Sequence, residues 1–393
     1  MIERKPIQKL PRRGGSTNWL TWIVWIAVVA ALVWIWQKDI FGWRRGDSNT
    51  GPPVGMVLRT NAQNSNVTVR VATRAGQSPA GSVRVSVGPT NPVTPRLPVL
   101  DAAPGGKIPR AVQNIFEAQL VLARRGFSSG SIDGAAGSQT RAALAAFQRS
   151  ERIEVTGVLD AETKARLLLS APPVADYIVT TNDLARLRPL ATTWLEKSRQ
   201  SALDYETILE LVAEKSWSHP GLLRRLNPSV TWTNVAAGDR LQVANVEMPK
   251  TRARAALIRI RLAEKVLEAF DASTNLLAHF PCSIAQRVEK RPVGELHVLV
   301  LAPNPTYVFD PDNFPESSEA RELKRKLILP AGPNNPVGTA WIGLDRPGYG
   351  IHGTPQPEQV GRTESHGCFR LANWNAEYLI RLVAVGTTVI VEP

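Results

Sequence analysis

The chain has 393 residues, more than one hydrophobic core usually holds, so two or three domains joined by linkers are expected. A formal net charge of +13 and an isoelectric point near 10.1 imply attraction to a polyanion, whether nucleic acid, anionic lipid or an acidic envelope polymer. The two cysteines, Cys282 and Cys368, allow at most one disulfide, and no zinc-spaced Cys/His cluster or phosphate-cradling glycine loop appears.

At the N-terminus Arg4, Lys5, Lys9, Arg12 and Arg13 precede an apolar run from Trp19 to Trp36, broken only by Thr21. Such a run is about long enough to cross a bilayer as a slightly short helix. The basic flank predicts residues 1–18 as a cytoplasmic tail and sends the rest of the chain across, and the clustered tryptophans suit the interfaces. No small residues mark a processing site at Leu32-Val33-Trp34-Ile35-Trp36, so residues 19–36 read as an uncleaved single-pass signal anchor. A buried core helix is the other reading. Export of the basic domains argues against nucleic acid as the polyanion.

Residues 37–108, rich in Pro, Gly, Ser, Thr and Asn, read as a flexible linker. Within them Val67–Val71 and Val83–Val87 alternate with period two and could form a hairpin. Residues 109–171 then predict a three-helix unit. Phe116, Leu120, Ala123 and Phe127 recur at helical spacing, and Gly126 suits the stop. Ser138 is a candidate cap for a second helix and Asp160 for a third. Thr140-Arg141-Ala142-Ala143-Leu144 is faintly echoed by Thr163-Lys164-Ala165-Arg166-Leu167. Through Gln119-Leu120, Gly130-Ser131-Ile132-Asp133-Gly134, Thr140, Phe147-Gln148 and Val155-Thr156-Gly157-Val158-Leu159-Asp160, this unit resembles the small peptidoglycan-binding domain. A plain three-helix spacer would carry the same apolar spacing.

After Ala171-Pro172-Pro173, residues 174–250 predict a strand at Tyr177–Thr180, a helix at Tyr205–Ala213, then Leu226-Asn227-Pro228 and Gly238-Asp239-Arg240-Leu241 before a closing strand. This resembles a lysin-motif glycan-binding module with an expanded middle, Leu184 to Leu203. Packing against the next domain is the competing role.

From Arg254 the sequence becomes mostly strands: Ala256–Ile260, Val266–Asp271, Asn275–Phe280 and Gly294–Ala302, with Ala272-Ser273-Thr274 as a hairpin turn. Residues 252–393 therefore predict a β-rich sandwich or barrel, and the whole chain a multidomain α+β protein. The polar insertion Asn304 to Leu329 reads as a lid or mobile loop, its Glu316, Glu319, Arg321, Lys324 and Arg325 as a solvated face. Cys282 reads as a small packed hydrophobe, and His219, His279 and His297 as surface or satisfied core. Asn373 is a candidate cap for a helix sharing Trp374, Tyr378 and Leu382 on one face, before a last strand at Thr388–Val391.

The chemistry concentrates in Gly350-Ile351-His352-Gly353-Thr354 and Ser365-His366-Gly367-Cys368-Phe369-Arg370. A thiol attacks as its thiolate, so a cysteine among histidines, a glycine and an arginine has local means to lower its pKa. His352 on a strand end, facing Cys368 on a returning turn, suits proton transfer over hydrogen-bond distance. Gly367 leaves room beside the sulfur, where backbone N–H groups could face an oxyanion. Spacing alone does not choose between His352 and His366 as the base.

These residues, with Gly332-Pro333-Asn334-Asn335-Pro336-Val337-Gly338 and Arg291-Pro292-Val293-Gly294, resemble the L,D-transpeptidase (YkuD-type) catalytic domain of bacterial cell-wall enzymes. The resemblance implies that Cys368 attacks a stem tetrapeptide of peptidoglycan, that His352 is the base, and that the Gly353 carbonyl orients its imidazole. It assigns Ser365, His366, Gly367 and Arg370 to substrate or oxyanion, requires no metal or other cofactor, and implies an amine acceptor. The N-terminal signal anchor predicts residence in the inner membrane with the catalytic domain in the periplasm, and the resemblance implies a part in wall biogenesis and cell shape. Water as acceptor would make an L,D-carboxypeptidase or cysteine peptidase of the wall, and loss of chemistry a non-catalytic wall-binding protein.

Overall fold

The computed structural model describes residues 107–250, 252–314, 316–365 and 367–393. The expected tail, anchor and linker hairpin lie outside the described residues, as does His366. Among the described residues no helix is long and apolar enough to cross a membrane.

The first module contains β1 (Arg110–Ala111), α1 (Ile115–Arg124), α2 (Ser138–Glu151), α3 (Ala161–Arg166) and β2 (Leu168–Leu169), with β1 and β2 paired antiparallel. The Asn114 side chain caps α1 and Asp160 caps α3, each accepting from the backbone N–H three residues on. Ser138, expected to cap α2, is instead its first residue. Gly137 holds the cap position and offers no side-chain oxygen. The sequence echo has a physical cause in two buried glutamines. Gln119 Nε2 donates to Thr140 Oγ1 (3.0 Å) and Gln148 Nε2 to Thr163 Oγ1 (2.8 Å), while their oxygens accept from the turn N–H groups of Gly134 and Gly157. Each glutamine thus ties a glycine turn to the start of a helix.

The second module comprises β3 (Val174–Ile178), α4 (Thr181–Ala185), α5 (Trp194–Lys197), α6 (Ile208–Lys215), α7 (Pro220–Leu226) and β4 (Arg240–Ala244). Strands β3 and β4 pair antiparallel over a core that includes Leu211, Val212, Leu223 and Leu241. Reciprocal side-chain and backbone hydrogen bonds between Thr207 and Glu210 start α6.

The third module carries β5 (Leu257–Arg261), β6 (Val266–Phe270), β7 (Leu276–Pro281), β8 (Gly294–Pro303), β9 (Tyr307–Phe309), α8 (Ser318–Leu323), β10 (Leu327–Leu329), β11 (Ala340–Leu344), β12 (Gly350–His352), β13 (Phe369–Arg370), α9 (Asn373–Leu382) and β14 (Thr388–Glu392). Eight of its strands form one sheet in the order β13-β12-β11-β8-β14-β5-β6-β7. Pairs β12/β13 and β14/β5 are parallel and the others antiparallel. The two ends of the sheet meet: Ser283, just past β7, exchanges backbone hydrogen bonds with Arg370 of β13, and Ile284 O accepts from Ser365 N. A sheet curled onto its own edge leaves no long unpaired rim there. Inward residues alternate, as with Ile258 and Ile260 on β5 or Val389 and Val391 on β14, and pack against Ala376, Leu379 and Leu382 of α9. Cys282 is buried in this core as a free thiol, pushed up by burial, and Cys368 is also free.

The three modules share side-chain contacts. Trp217, beyond α6, stacks on Trp374 of α9 (6.5 Å between centroids) within the core of the first module. The insertion 304–329 departs from the expected mobile lid: Phe309, Leu327 and Leu329 form a small core with Leu203, and Trp194 of α5 stacks on Phe309 at 4.5 Å. Glu319, expected on a solvated face, accepts from Leu195 N at 3.0 Å.

Candidate active site

Strands β12 and β13 run side by side in parallel with His352 opposite Arg370 and Ile351 opposite Phe369. Cys368 lies in the bend that leads into β13. Arg370, paired with His352 across the two strands, is within electrostatic reach of both the imidazole and the thiol, so the three groups gather at this edge of the sheet.

His352 is buried, and its Nδ1 lies 2.6 Å from the Gly353 carbonyl oxygen. A carbonyl only accepts, so Nδ1 carries the proton and Nε2 keeps its lone pair. The ring stacks on Trp341 at 5.5 Å. Burial pushes the imidazole down to about 4, the Gly353 carbonyl opposing and the Arg370 charge assisting. At neutral pH it is an uncharged acceptor.

Cys368 is half-buried, with Sγ 3.4 Å from the Gly348 carbonyl oxygen. Burial pushes this thiol up, against a backbone hydrogen bond at Gly350 and the charge of Arg370. The expectation of a locally acidified cysteine is thereby corrected. Sequence neighbours supply cations, but removal from water outweighs them. The resting pair is a neutral thiol and a neutral imidazole.

Gly353 is fixed by its N–H donating to Ala340 O (3.1 Å), and a side chain there would meet Asn373 Oδ1 at 2.1 Å. Asn373, expected to cap α9, is the first residue of that helix, with Ala372 at the cap position. Its fully buried amide is used between elements: Oδ1 accepts from Thr354 N (2.9 Å) and Thr339 N (3.2 Å), and Nδ2 donates to Glu214 Oε1 (3.0 Å). Asn373 thus holds the backbone immediately after the His352–Gly353 pair.

The remaining expected residues divide. Ser365 is buried and its hydroxyl donates to the Cys368 carbonyl (2.5 Å) while accepting from Gly367 N (3.3 Å). That oxygen shapes the turn that carries Cys368. A Cβ on Gly367 would meet only a Tyr349 ring carbon at 3.9 Å, so the space beside the turn is open. Arg370 reaches the Glu364 carbonyl at 3.3 Å, and burial pushes its guanidinium down while Cys368 and Tyr307 draw it up.

Tyr307, on β9 of the insertion, was not legible as a site residue. Burial first, then Cys368 and Asp310, raise its phenol to about 12, Arg370 opposing. It is a neutral hydroxyl within electrostatic reach of both Cys368 and Arg370. Its only sequence signal is a tyrosine in a short alternating run. His279 pairs with Glu268 (3.0 Å) and His297 with Asp345 (3.0 Å), while His219 Nδ1 accepts from Gly221 N, so all three are engaged in structural contacts. Among the described residues no group of three His, Cys, Asp or Glu side chains is gathered to hold a metal.

Residues 255–391 match the family model of the L,D-transpeptidase catalytic domain, and residues 112–167 that of a peptidoglycan binding domain. YqjB of Bacillus subtilis (strain 168), named as an L,D-transpeptidase, is 37% identical over 105 residues, covering 25% of this chain and 51% of that protein. The chain thus spans about half the length of that relative. YkuD of Bacillus licheniformis, named likewise, is 24% identical over 188 residues, 48% of this chain and 94% of its own length. The crystal structure of L,D-transpeptidase 3 from Mycobacterium tuberculosis aligns over 41% of this chain and 77% of that one, at 15% identity and a TM-score of 0.29. Residues 255–391 are an L,D-transpeptidase catalytic domain, preceded at residues 112–167 by a domain of the peptidoglycan-binding family.

Proposed function

We propose that this chain is a cell-wall L,D-transpeptidase in which Cys368 is the nucleophile and His352 the general base. The observation that supports the reading is Arg370, opposite His352 on parallel β12 and β13 and within electrostatic reach of both that imidazole and Cys368, with His352 Nδ1 tied to Gly353 and Nε2 left as an acceptor. A neutral thiol beside a neutral imidazole loses its proton as it attacks. Sγ adds to a peptide carbonyl of a stem tetrapeptide, and His352 Nε2 takes the thiol proton and then gives it to the departing amine of the terminal residue. An acceptor amine next attacks the thioester, passing its own proton to His352, and Sγ leaves to take that proton back. Arg370 and the phenol of Tyr307 orient the donor above the sulfur, and N–H groups of the Gly367–Cys368 turn receive the oxyanion.

The N-terminal run Trp19–Trp36 anchors the chain in the inner membrane with residues 1–18 in the cytoplasm, so that the catalytic domain works in the periplasm. Incubation with disaccharide tetrapeptides, with products weighed by mass spectrometry beside Cys368→Ala, tests the chemistry. Cross-linked dimers that vanish in Cys368→Ala are expected. Shortened stems alone would make the enzyme a carboxypeptidase, and unchanged substrate would leave a wall-binding protein.

A further inference from the structure

A cavity of about 460 Å³ lies between the first module and the catalytic sheet, and neither Cys368, His352 nor Arg370 lines it. One wall is the start of α2 with Ser129, and the other is the β5–β6 turn, His279 of β7, and Gly361–Arg362 from the loop joining His352 to Cys368.

Two independent features of the lining call for a ligand. Helix α2 has 14 residues and begins at the cavity with Gly137 in the cap position and no side-chain acceptor, so first-turn N–H groups and the positive end of the helix dipole face it. Two lining residues carry polar atoms without a partner, Ser129 Oγ and His279 Nε2, on side chains 5% and 1% exposed. Buried polar atoms are nearly always satisfied, so a pair of orphans lining one cavity from its two walls is a specific signal. The tautomer of His279 follows from its other edge. Glu268 Oε1 lies 3.0 Å from Nδ1, and against its burial that carboxylate is held ionised, at about 2, by His279, Arg261 and Arg149. Nδ1 therefore bears the proton and Nε2 is a bare acceptor.

Charged groups line the cavity as well. Asp133 keeps its negative charge while accepting from the neutral Gln119 Nε2 and Ala135 N, and Glu264 pairs with Arg261. Lys265 and Arg362, in contrast, have no ion-pair partner among the described residues. The cavity thus offers two cations without ion-pair partners, Lys265 and Arg362, one carboxylate in Asp133, a hydroxyl and the His279 acceptor.

We propose that this cavity binds a carboxylate-bearing sugar-peptide fragment of the wall polymer. Its carboxylate sits at the start of α2 beside Lys265 and Arg362, and a ligand O–H or N–H donates to His279 Nε2. The choice of ligand class rests on the function proposed above. Both modules build the site, so wall polymer would be gripped at the seam and beside the loop that carries the catalytic turn.

The test uses the full chain in detergent and N-acetylmuramyl-L-alanyl-D-isoglutamine as the probe, measured by titration calorimetry. Gly137→Asp gives α2 its own carboxylate cap. Its backbone (φ −75°, ψ −179°) suits that role and a Cβ there meets nothing within 4 Å. Binding should weaken at least tenfold with no loss of thermal stability, and Lys265→Gln should weaken it several-fold, while both variants turn over a soluble stem tetrapeptide as the parent does. Equal binding in Gly137→Asp, or no binding to the parent chain, overturns the site even where turnover is intact. Binding that persists and responds to Gly137→Asp in a chain without turnover keeps the site and removes the enzyme.

Discussion

Glu214 of α6 offers a sharp test of how the second module is joined to the active site. Its side chain is enclosed where Asn373 Nδ2 donates to Oε1 (3.0 Å) and the Tyr205 hydroxyl approaches at 3.4 Å. Burial, reinforced by the nearby charges of Glu377 and Glu210, raises its pKa from 4.5 to about 8, the Asn373 and Tyr205 hydrogen bonds opposing. Between those two values the folded chain holds a proton that the unfolded chain has released, so stability falls as pH rises through the window. The slope approaches about 1.4 kcal/mol per pH unit, for a ceiling of about 5 kcal/mol across the interval. This is opposite to the ordinary carboxylate. Glu268, held down at about 2, adds stability above its unfolded value of 4.5 that is lost only as pH falls toward 2, so its effect lies outside the window. Glu214→Gln keeps the shape and the acceptor for Asn373 but cannot ionise. Urea unfolding followed by tryptophan fluorescence at pH 5, 6, 7 and 8 should show the parent losing stability relative to Glu214→Gln at each step. Parallel profiles for the two chains would refute this account of the buried carboxyl.

Gly353→Ala places a methyl group 2.1 Å from Asn373 Oδ1, so the backbone that orients His352 must shift. About 1–3 kcal/mol of stability and about a hundredfold in turnover should be lost, read by thermal unfolding and product formation. Trp194→Ala removes the ring stacked on Phe309 and tilted against Phe314. A loss of about 2 kcal/mol is expected, with faster proteolysis of residues 304–329 and a raised KM for the donor stem, because Tyr307 is carried on that insertion. Since the imidazole is pushed down to about 4, the base is competent above that pH, and the acid limb of kcat/KM should fall near pH 4 rather than near 6.5. A limb near 6.5 in a rate profile would show His352 to be solvated.

The strands, and the pair proposed as nucleophile and base, could be picked out from the chain because both are local patterns. Alternation on β5 and β14 states which side chains go inward, and His352 and Cys368 stand out by residue type. What could not be read depends on burial and on distant partners. Asn373 has the composition of a helix cap, but its oxygen is used by Thr339 and Thr354, N–H groups brought to it only by the fold. Ser138 likewise looks like a cap, yet Gly137 occupies that position. The thiol of Cys368 has basic neighbours in sequence, and its pKa is nevertheless raised because desolvation depends on what covers it. Tyr307 comes within electrostatic reach of Cys368 and Arg370 only through the fold of the insertion, which no spacing in the chain announces.

The same distinction explains the expanded middle of the second module. The start of the expansion, Leu184 and Leu187, still packs on the core closed by β3, α6, α7 and β4. The rest of it reaches toward the catalytic module. Leu203 exchanges backbone hydrogen bonds with Ala331 and Asn334, Asn334 Nδ2 donates to Glu210 (2.6 Å), and a side chain on Gly332 would collide with the Leu203 carbonyl at 2.2 Å. The Gly332–Gly338 segment is thus clamped on one side by the second module and on the other by Asn373. Trp194, from the same expansion, supports the insertion that presents Tyr307. An element that touches both the Gly332–Gly338 segment and the insertion that presents Tyr307 holds the two at a set separation. Its removal should therefore impair substrate positioning before it impairs the folding of the catalytic sheet, whose core lies elsewhere.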